Sequence, residues 1–283
     1  MSELYYVSPE DRRSLTESGV VLTGAEAKHL SRVMRKKVGD RVLLFDGAGR
    51  EFDAEIIGIS RDRVECRIFA TRADDREPNL ALTVLLALPK GERQKWAIEK
   101  LSELGVRRVV PFDAERADVK FDESVRERLE RQVLEASKQC GRLRLMSITP
   151  SVGFGEFRAL VELLEARTSG AVELSESARA LADRFRGFGL FDEFKPGDEV
   201  ARIAAHPRSD GDFGQTSFAE LARSFGDKIP RGALIMIGPV GGLTDAEIGG
   251  AVEQGWRPLD LGKQVYRVET AAIVASALLL HLD

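Results

Sequence analysis

Cysteine is nearly missing from this 283-residue chain, which has two, Cys66 and Cys140. Two thiols cannot build a disulfide framework, and neither has a partner at zinc-ligand spacing, so a reducing compartment fits best. Histidine is almost as scarce: His29, His206 and His281 are the three present, and they support no metal cluster. Long apolar runs are lacking too, because the stretch from Ala271 to Leu280 covers about half of the ~20 residues that a bilayer-crossing helix needs. The opening Met-Ser-Glu-Leu-Tyr has neither the basic start nor the apolar core of a signal peptide, and the expected location is cytoplasmic. There is no excess of positive charge. Lys and Arg total 42 against 46 Asp and Glu, a formal charge of −4, which excludes a uniformly basic nucleic-acid coat and leaves room for a local basic patch.

What is present reads as a globular chain, with 43% hydrophobic and 31% charged residues, enough to bury a core. Its charge is uneven. Residues 161–200 hold five basic residues against nine acidic ones, whereas Lys28, Arg32, Arg35, Lys36, Lys37 and Arg41 face only Asp40 within residues 28–41.

Residues 20–70 read as a small β-rich barrel with one helix, whose start is the capping-box pattern Thr23 to Glu26, followed by Leu30, Val33 and Met34 at helical spacing. Strands over 41–45 and 51–57 flank the turn Asp46-Gly-Ala-Gly49, and Val64, Cys66 and Ile68 alternate with charged residues. The polar stretch 71–79 contains a proline and has no period, so the domain division is residues 1–72 and 80–283 with a linker at about 73–79. From Leu80 onward, apolar strands and helices alternate, the pattern of an α/β domain with a mainly parallel sheet. Its strands fall at 80–88, 109–112, 200–205 and 233–237, with helices near 96–104, 123–139, 218–225 and 244–254 and a last helix from Val268. Residues 155–200 form a possible extra segment whose elements the pattern does not place.

Two loops could carry chemistry. The first, Ile237-Gly-Pro-Val-Gly-Gly-Leu243, joins an apolar strand to a helix capped by Thr244 with Glu247 three residues on. Glycines let backbone approach a ligand at the carboxyl end of a strand, although a tight strand-to-helix turn explains the same residues. There is no Gly-Lys-Ser/Thr ending and no G-x-G-x-x-G, so ATP and NAD are poorly supported. The second loop, from Leu261 to Thr270, enters the apolar, alanine-rich last helix through Arg267 and Glu269, which could equally be an ion pair at a helix start.

Taken together, these loops resemble those of the RsmE-type 16S rRNA (uracil-N3) methyltransferases of the SPOUT superfamily. Ile237-Gly-Pro-Val-Gly-Gly-Leu is similar to their I-G-P-E-G-G-F/L, and Leu261-Gly-Lys-Gln-Val-Tyr-Arg-Val-Glu-Thr-Ala to their L-G-x-x-I-L-R-x-E-T-A. Agreement extends in order to Lys28-His-Leu-Ser-Arg-Val-Met-Arg35, Gly39-Asp40, Leu88-Pro-Lys-Gly91, Lys100-Leu-Ser-Glu-Leu-Gly-Val106, Glu135 to Arg142, and His206-Pro207. Val240 departs from the family glutamate, and residues 155–200 have no counterpart in the resemblance.

The resemblance implies a PUA-like RNA-binding β-barrel followed by a SPOUT methyltransferase domain, an α/β fold tied in a trefoil knot around S-adenosylmethionine. It implies methylation of a uridine at N3, position 1498 in the family's numbering, within 16S rRNA of the small ribosomal subunit, by a homodimer that uses no metal and no membrane. Cofactor contacts are then expected from His206, Pro207, Ile237, Gly238, Val240, Gly241, Gly242, Leu261, Gly262, Val265, Tyr266, Arg267 and Thr270. Arg116, Arg267 and Glu269 are the expected catalytic residues: an arginine for the uracil anion, the glutamate for orientation or proton removal. RNA phosphates are expected to meet Lys28, Arg32, Arg35, Lys36, Lys90, Lys95 and Arg142. A non-catalytic RNA-binding assembly factor, invited by Val240, and a Rossmann-like small-molecule enzyme remain compatible with parts of the chain.

Overall fold

Charged residues alternating with apolar ones build the first unit as strands with one buried face. The computed structural model describes residues 4–73, 76–170, 173–208, 212–226 and 228–282. Residues 1–3, and residues 74 and 75 of the expected linker, lie outside this range. Contacts divide the chain into two units, Met1–Glu77 with Leu134–Leu145, and Pro78–Val133 with Met146–Asp283.

In the first unit, β1 (Leu4–Tyr6), β2 (Gly19–Thr23), α1 (Gly24–Lys28), β3 (Arg41–Phe45), β4 (Arg50–Ile59) and β5 (Arg63–Ala73) form a five-stranded sheet in the order β1-β3-β4-β5-β2. Val20, Leu22, Val42, Leu44, Phe52, Ile56, Val64, Cys66 and Ile68 fill its core. Burial pushes the Cys66 thiol up to about 12, so this residue is packing rather than chemistry. The Asp46-Gly-Ala-Gly49 turn closes a β3–β4 hairpin. Asp46 is fully buried, accepting from the Ala48 and Arg50 amides at 2.8 and 3.0 Å and from Arg50 Nε at 2.7 Å. The expected capping box at Thr23 does not form. Its hydroxyl donates to Asp11 at 2.6 Å, while Glu26 accepts from the Tyr6 amide and pairs with Lys138. Past α1 the chain widens into a π-turn at His29–Val33, and Val33 is exposed rather than packed.

The second unit contains β6 (Ala81–Leu86), α2 (Glu92–Leu104), β7 (Arg108–Asp113), α3 (Glu123–Cys140, its last turns belonging to the first unit), β8 (Ser147–Ile148) and β9 (Val152–Gly153). There follow α4 (Phe157–Ser169), α5 (Glu176–Arg184), β10 (Val200–Ala205), β11 (Thr216–Ser217), α6 (Phe218–Phe225), β12 (Gly232–Ile237), α7 (Asp245–Glu253), β13 (Arg257–Asp260) and α8 (Val268–Leu280). The sheet runs β11-β13-β10-β12-β6-β7-β8, with each pairing parallel. Its central strands are continuous apolar runs because helices cover both faces. One helix, α8, packs on α2, β6 and β12.

Residues 155–200 are part of this core. Phe157, Leu160, Leu164, Leu181, Phe185, Phe191 and Phe194 pack with Phe112, Met236 and Trp256, and Phe157 stacks on Trp256 with ring centroids 5.8 Å apart. The phenylalanines are spaced for tertiary packing rather than for one face of a regular element, which hides them from periodicity. A buried ion pair anchors the end of the segment: Arg108 of β7 donates to Glu193 at 2.8 Å and 3.1 Å and to the Gly189 carbonyl at 2.6 Å. Burial alone would raise the Glu193 carboxyl, but the hydrogen bonds and charge of Arg108 outweigh it and hold the group below its ordinary 4.5.

Because the folded-state value is the depressed one, this contribution is present above pH 4.5 and is lost as pH falls through the folded value. Glu193→Ala, which leaves Arg108 buried without its carboxylate, is expected to cost about 3–5 kcal/mol in a denaturant melt at pH 7, a deficit that narrows in acid. A double replacement by Arg108→Met and Glu193→Leu is expected to recover most of the loss.

Candidate functional site

The carboxyl ends of β13, β10 and β12 lie side by side, and the loops leaving them enclose a cleft of about 490 Å³. In α/β sheets this edge is where small molecules bind, and the volume falls within the roughly 300–1,000 Å³ of small-ligand sites. Three stretches that are far apart in sequence form the walls. They are Ala205 to Pro207 after β10, Ile237 to Leu243 after β12, and Leu259 to Leu261 with Gln264 to Val268 after β13. Eleven of the thirteen expected cofactor residues, from His206 to Arg267, line the cleft. Gly262 and Thr270 are not among the lining residues. His206 is buried, with its amide on the Leu259 carbonyl at 2.9 Å and its ring edge-on to Phe213, so it links two of the walls.

The glycine loop owes its course to local geometry. Gly242 has φ of 71°, closing a turn in which its amide donates to the Pro239 carbonyl at 2.9 Å; a side chain there would be strained. At Gly238 an added Cβ would stand 2.9 Å from Leu243 Cγ. Beyond the turn, the Thr244–Glu247 capping box forms as its spacing predicts, with Glu247 Oε2 accepting from the Thr244 amide at 2.8 Å and from its hydroxyl at 3.2 Å. The other oxygen of Glu247, a residue sequence reasoning treated only as a cap, accepts from the Glu115 amide at 2.8 Å. Glu115 immediately precedes Arg116, whose Nη1 donates to the Gly241 carbonyl at 2.8 Å. One buried carboxylate therefore joins the loop after β7 to the loop after β12, and Arg116 closes the same bracket from outside.

Arg267 is exposed, lines the cleft and forms the N-cap position of α8. The ion pair with Glu269 suggested by their spacing is not formed: Glu269 Oε1 lies 3.7 Å from Arg93 Nε instead. Helical geometry separates residues two apart, whereas the start of α2 brings Arg93 to the carboxylate. Glu269 is 5% exposed and its Oε2 has no hydrogen-bond partner among the described residues. It lies in the first turn of α8. Arg93 lines the cleft and went unrecognised in the sequence, since a basic residue at a helix start carries no signal of what it faces.

Charge at the expected RNA contacts is distributed differently from residue to residue. Lys28 and Arg32 lie 3.7 and 3.8 Å from Asp62, loose surface pairs that leave both heads solvated. Arg35 is exposed with φ of 54°, and Lys36 follows it. Lys90 pairs with Asp118 at 3.1 Å, while Lys95 is exposed. Arg142 differs from expectation: it is 7% exposed and holds Glu77 with two bonds of 2.8 Å, so its fork serves folding of the first unit rather than a phosphate. Among the described residues there is no cluster of three metal-ligating side chains and no helix long and apolar enough to cross a membrane.

Three expectations follow from the loop. Gly242→Ala should lose about 1–2 kcal/mol in a thermal melt because an L-residue is forced left-handed. Gly241→Ala, whose methyl would meet Arg116 at an ordinary 3.4 Å, should melt like the parent. Glu247→Ala strands the Glu115 and Thr244 amides and should cost about 1–3 kcal/mol for each donor left unsatisfied.

Comparison with known proteins agrees with this architecture. A family model described as an RNA methyltransferase domain matches residues 76–186 and 188–280, running into the segment for which no counterpart was expected, and a second, an RNA methyltransferase PUA domain, matches residues 22–69. Ribosomal RNA small subunit methyltransferase E of Bacillus subtilis is 26% identical over 257 residues, covering 90% of this chain and 86% of the relative. The enzyme of that name from Synechocystis is 28% identical, covering 96% and 75%. Among solved structures, a Legionella pneumophila protein with bound SAM superposes with a TM-score of 0.71 at 25% identity, covering 99% and 97%. The small subunit methyltransferase E of Neisseria gonorrhoeae, bound to S-adenosyl methionine, gives 0.70 at 24%, covering 98% and 96%. With a PUA-like unit ahead of an α/β unit that the methyltransferase model spans almost end to end, this chain belongs to the RNA methyltransferase family.

Proposed function

We propose that this protein transfers a methyl group from S-adenosylmethionine to N3 of one uridine of 16S ribosomal RNA. The observation that carries the reading is the cleft at the ends of β10, β12 and β13, built from the stretches that resemble the family's cofactor loops. Its residues suit such a molecule. Gly238, Gly241 and Gly242 offer backbone to a ligand, and Ile237, Val240, Leu243, Leu259, Leu261 and Val268 offer apolar surface for an adenosine. S-adenosylmethionine supplies a methyl group on an already activated sulfonium. The residues of this chain must deal with the nucleophile, since uracil N3 attacks only once its proton has left.

Glu269 is the proposed acceptor of that proton, because its Oε2 is free of hydrogen bonds while Arg93 stands 3.7 Å from its other oxygen. Arg267, which makes no ion pair among the described residues, is proposed to stabilise the uracil anion with its guanidinium. Arg116 spends one donor on Gly241 and has the rest of its fork for the same task. Lys28, Arg32, Arg35, Lys36, Lys90 and Lys95 are proposed RNA phosphate contacts. The division into residues 1–72 and 80–283, the trefoil knot and cytoplasmic residence in the small-subunit assembly pathway complete the reading. A homodimer is supported by the half-buried apolar face of α8, where Ile273, Val274 and Leu278 lack full cover.

The test is transfer from isotopically labelled S-adenosylmethionine to small ribosomal subunits that lack the modification, with nucleosides resolved by mass spectrometry. The expected product is 3-methyluridine at one site; bound S-adenosylmethionine without label in RNA would favour the assembly-factor alternative. Arg267→Ala is expected to lower turnover roughly 100-fold or more with an unchanged melt. A lowered melting temperature with turnover kept would return Arg267 to a helix-start role.

A further inference from the structure

A second candidate surface lies on the outer face of the first unit's sheet, where of the residues assigned above only Lys36 reaches it. Strand β5 makes one residue too many opposite β4: Ala54 pairs with Ile68 and Asp53 with Ala70, so Phe69 is the extra residue of a β-bulge. Strand alternation after the inward-facing Cys66 and Ile68 already puts Phe69 on the outer face, and at the bulge it is 49% exposed. The ring is flanked by cations, with Arg67 Cζ at 5.2 Å and Arg41 Cζ at 5.4 Å from its centroid.

Beside the ring runs a groove of about 450 Å³, lined by Lys36, Arg41, Leu43, Asp53, Phe69 and Arg72 among others. Its charges fall into two groups. Arg72 is held by Asp53 and by Glu51, and Arg67 lies 3.5 Å from Glu55, so those two are largely neutralised. Arg41 and Lys36 have no carboxylate within 4.0 Å among the described residues. The groove thus combines an exposed aromatic ring with two cations that have no carboxylate within 4.0 Å among the described residues, one of which, Arg41, already lies over the ring. A solitary exposed phenylalanine would be unremarkable, but this grouping has two kinds of complementarity at once.

We propose that this groove binds one unpaired nucleotide of single-stranded RNA, its base stacked against Phe69 and the Arg41 guanidinium and its phosphate held by Lys36 and Arg41. Such proteins recognise unpaired bases by stacking on aromatic rings and arginine planes, with cations tracking the backbone. An acidic peptide would satisfy the cations but make no use of the flat ring. The inference rests on RNA being the substrate, and it adds a place where the RNA is gripped outside the methyl-transfer cleft.

The test uses the full-length protein and fluorescein-labelled decauridine, followed by anisotropy. Phe69→Leu, which keeps an apolar side chain but removes the stack, is expected to weaken binding roughly tenfold. Arg41→Gln is expected to weaken binding and to reduce the salt slope by about one. A decauridine carrying 4-thiouridine should cross-link to the β5 peptide that contains Phe69. Calorimetric affinity for S-adenosylmethionine and the thermal melt, measured on the same samples, report whether the variants are intact; if Phe69→Leu does not fold, Phe69→Tyr, which keeps the stack, should bind like the parent while Arg41→Gln carries the comparison. Equal binding by parent and variants, competition by polyglutamate as strong as by unlabelled decauridine, or no binding by the parent would each overturn the site. Methyl transfer to small subunits is scored separately, so loss of this groove and loss of the methyltransferase reading are distinguishable.

Discussion

The Glu247 carboxylate is the constraint on which the site depends. It is 2% exposed, and its two oxygens accept from three donors on two loops, the Thr244 amide and hydroxyl and the Glu115 amide. Hydrogen bonds to an ionised acceptor are about twice as strong as neutral ones, and in a buried site each donor left unpaired is costly. The carboxylate therefore fixes the exit of the glycine turn into α7 and, through Glu115, the backbone that carries Arg116. The Arg116 guanidinium then closes on Gly241, bracing the cleft wall from a second side. Preorganised walls suit a reaction whose difficulty is alignment and charge stabilisation.

Arginines in this chain do three kinds of work, and burial separates them. Arg108 and Arg142 are 3% and 7% exposed, and each grips a carboxylate with two nitrogens, clamping Glu193 and Glu77. Arg116 bridges loops. Arg267, Arg41 and the solvated residues near Lys28 keep their charge available for the ligand contacts proposed for them, a task Arg116 shares with the rest of its fork. With a net charge of −4, the protein keeps unpaired cations at few places, while internal pairs absorb much of the rest.

Legibility varied with how local the cause was. The Thr244 cap was readable because its partners are three residues apart and both remain available; the identical spacing at Thr23 failed because Asp11 and Lys138, distant in sequence, compete for the same groups. The start of α8 at Val268 and the β3–β4 hairpin were readable from helix and turn chemistry. Residues 155–200 were not, since Phe157, Phe185, Phe191 and Phe194 are positioned by the sheet they cover and follow no single period. Arg142 looked like a phosphate contact only until Glu77 was found beside it.

By itself the sequence determined the main alternation of elements outside residues 155–200, the parallel sheet and the loops that resemble a methyltransferase, because these depend on periodicity, turn residues and contiguous motifs. Tertiary structure alone decided which of those residues meet. It set Arg93 rather than Arg267 against Glu269, gave Glu247 its second loop, and placed Phe69 as the extra residue of a bulge beside Arg41. These contacts join residues up to 176 positions apart in the first case and 132 in the second. A side chain's partners at such separations are chosen by strand order and helix packing, and no local pattern encodes them.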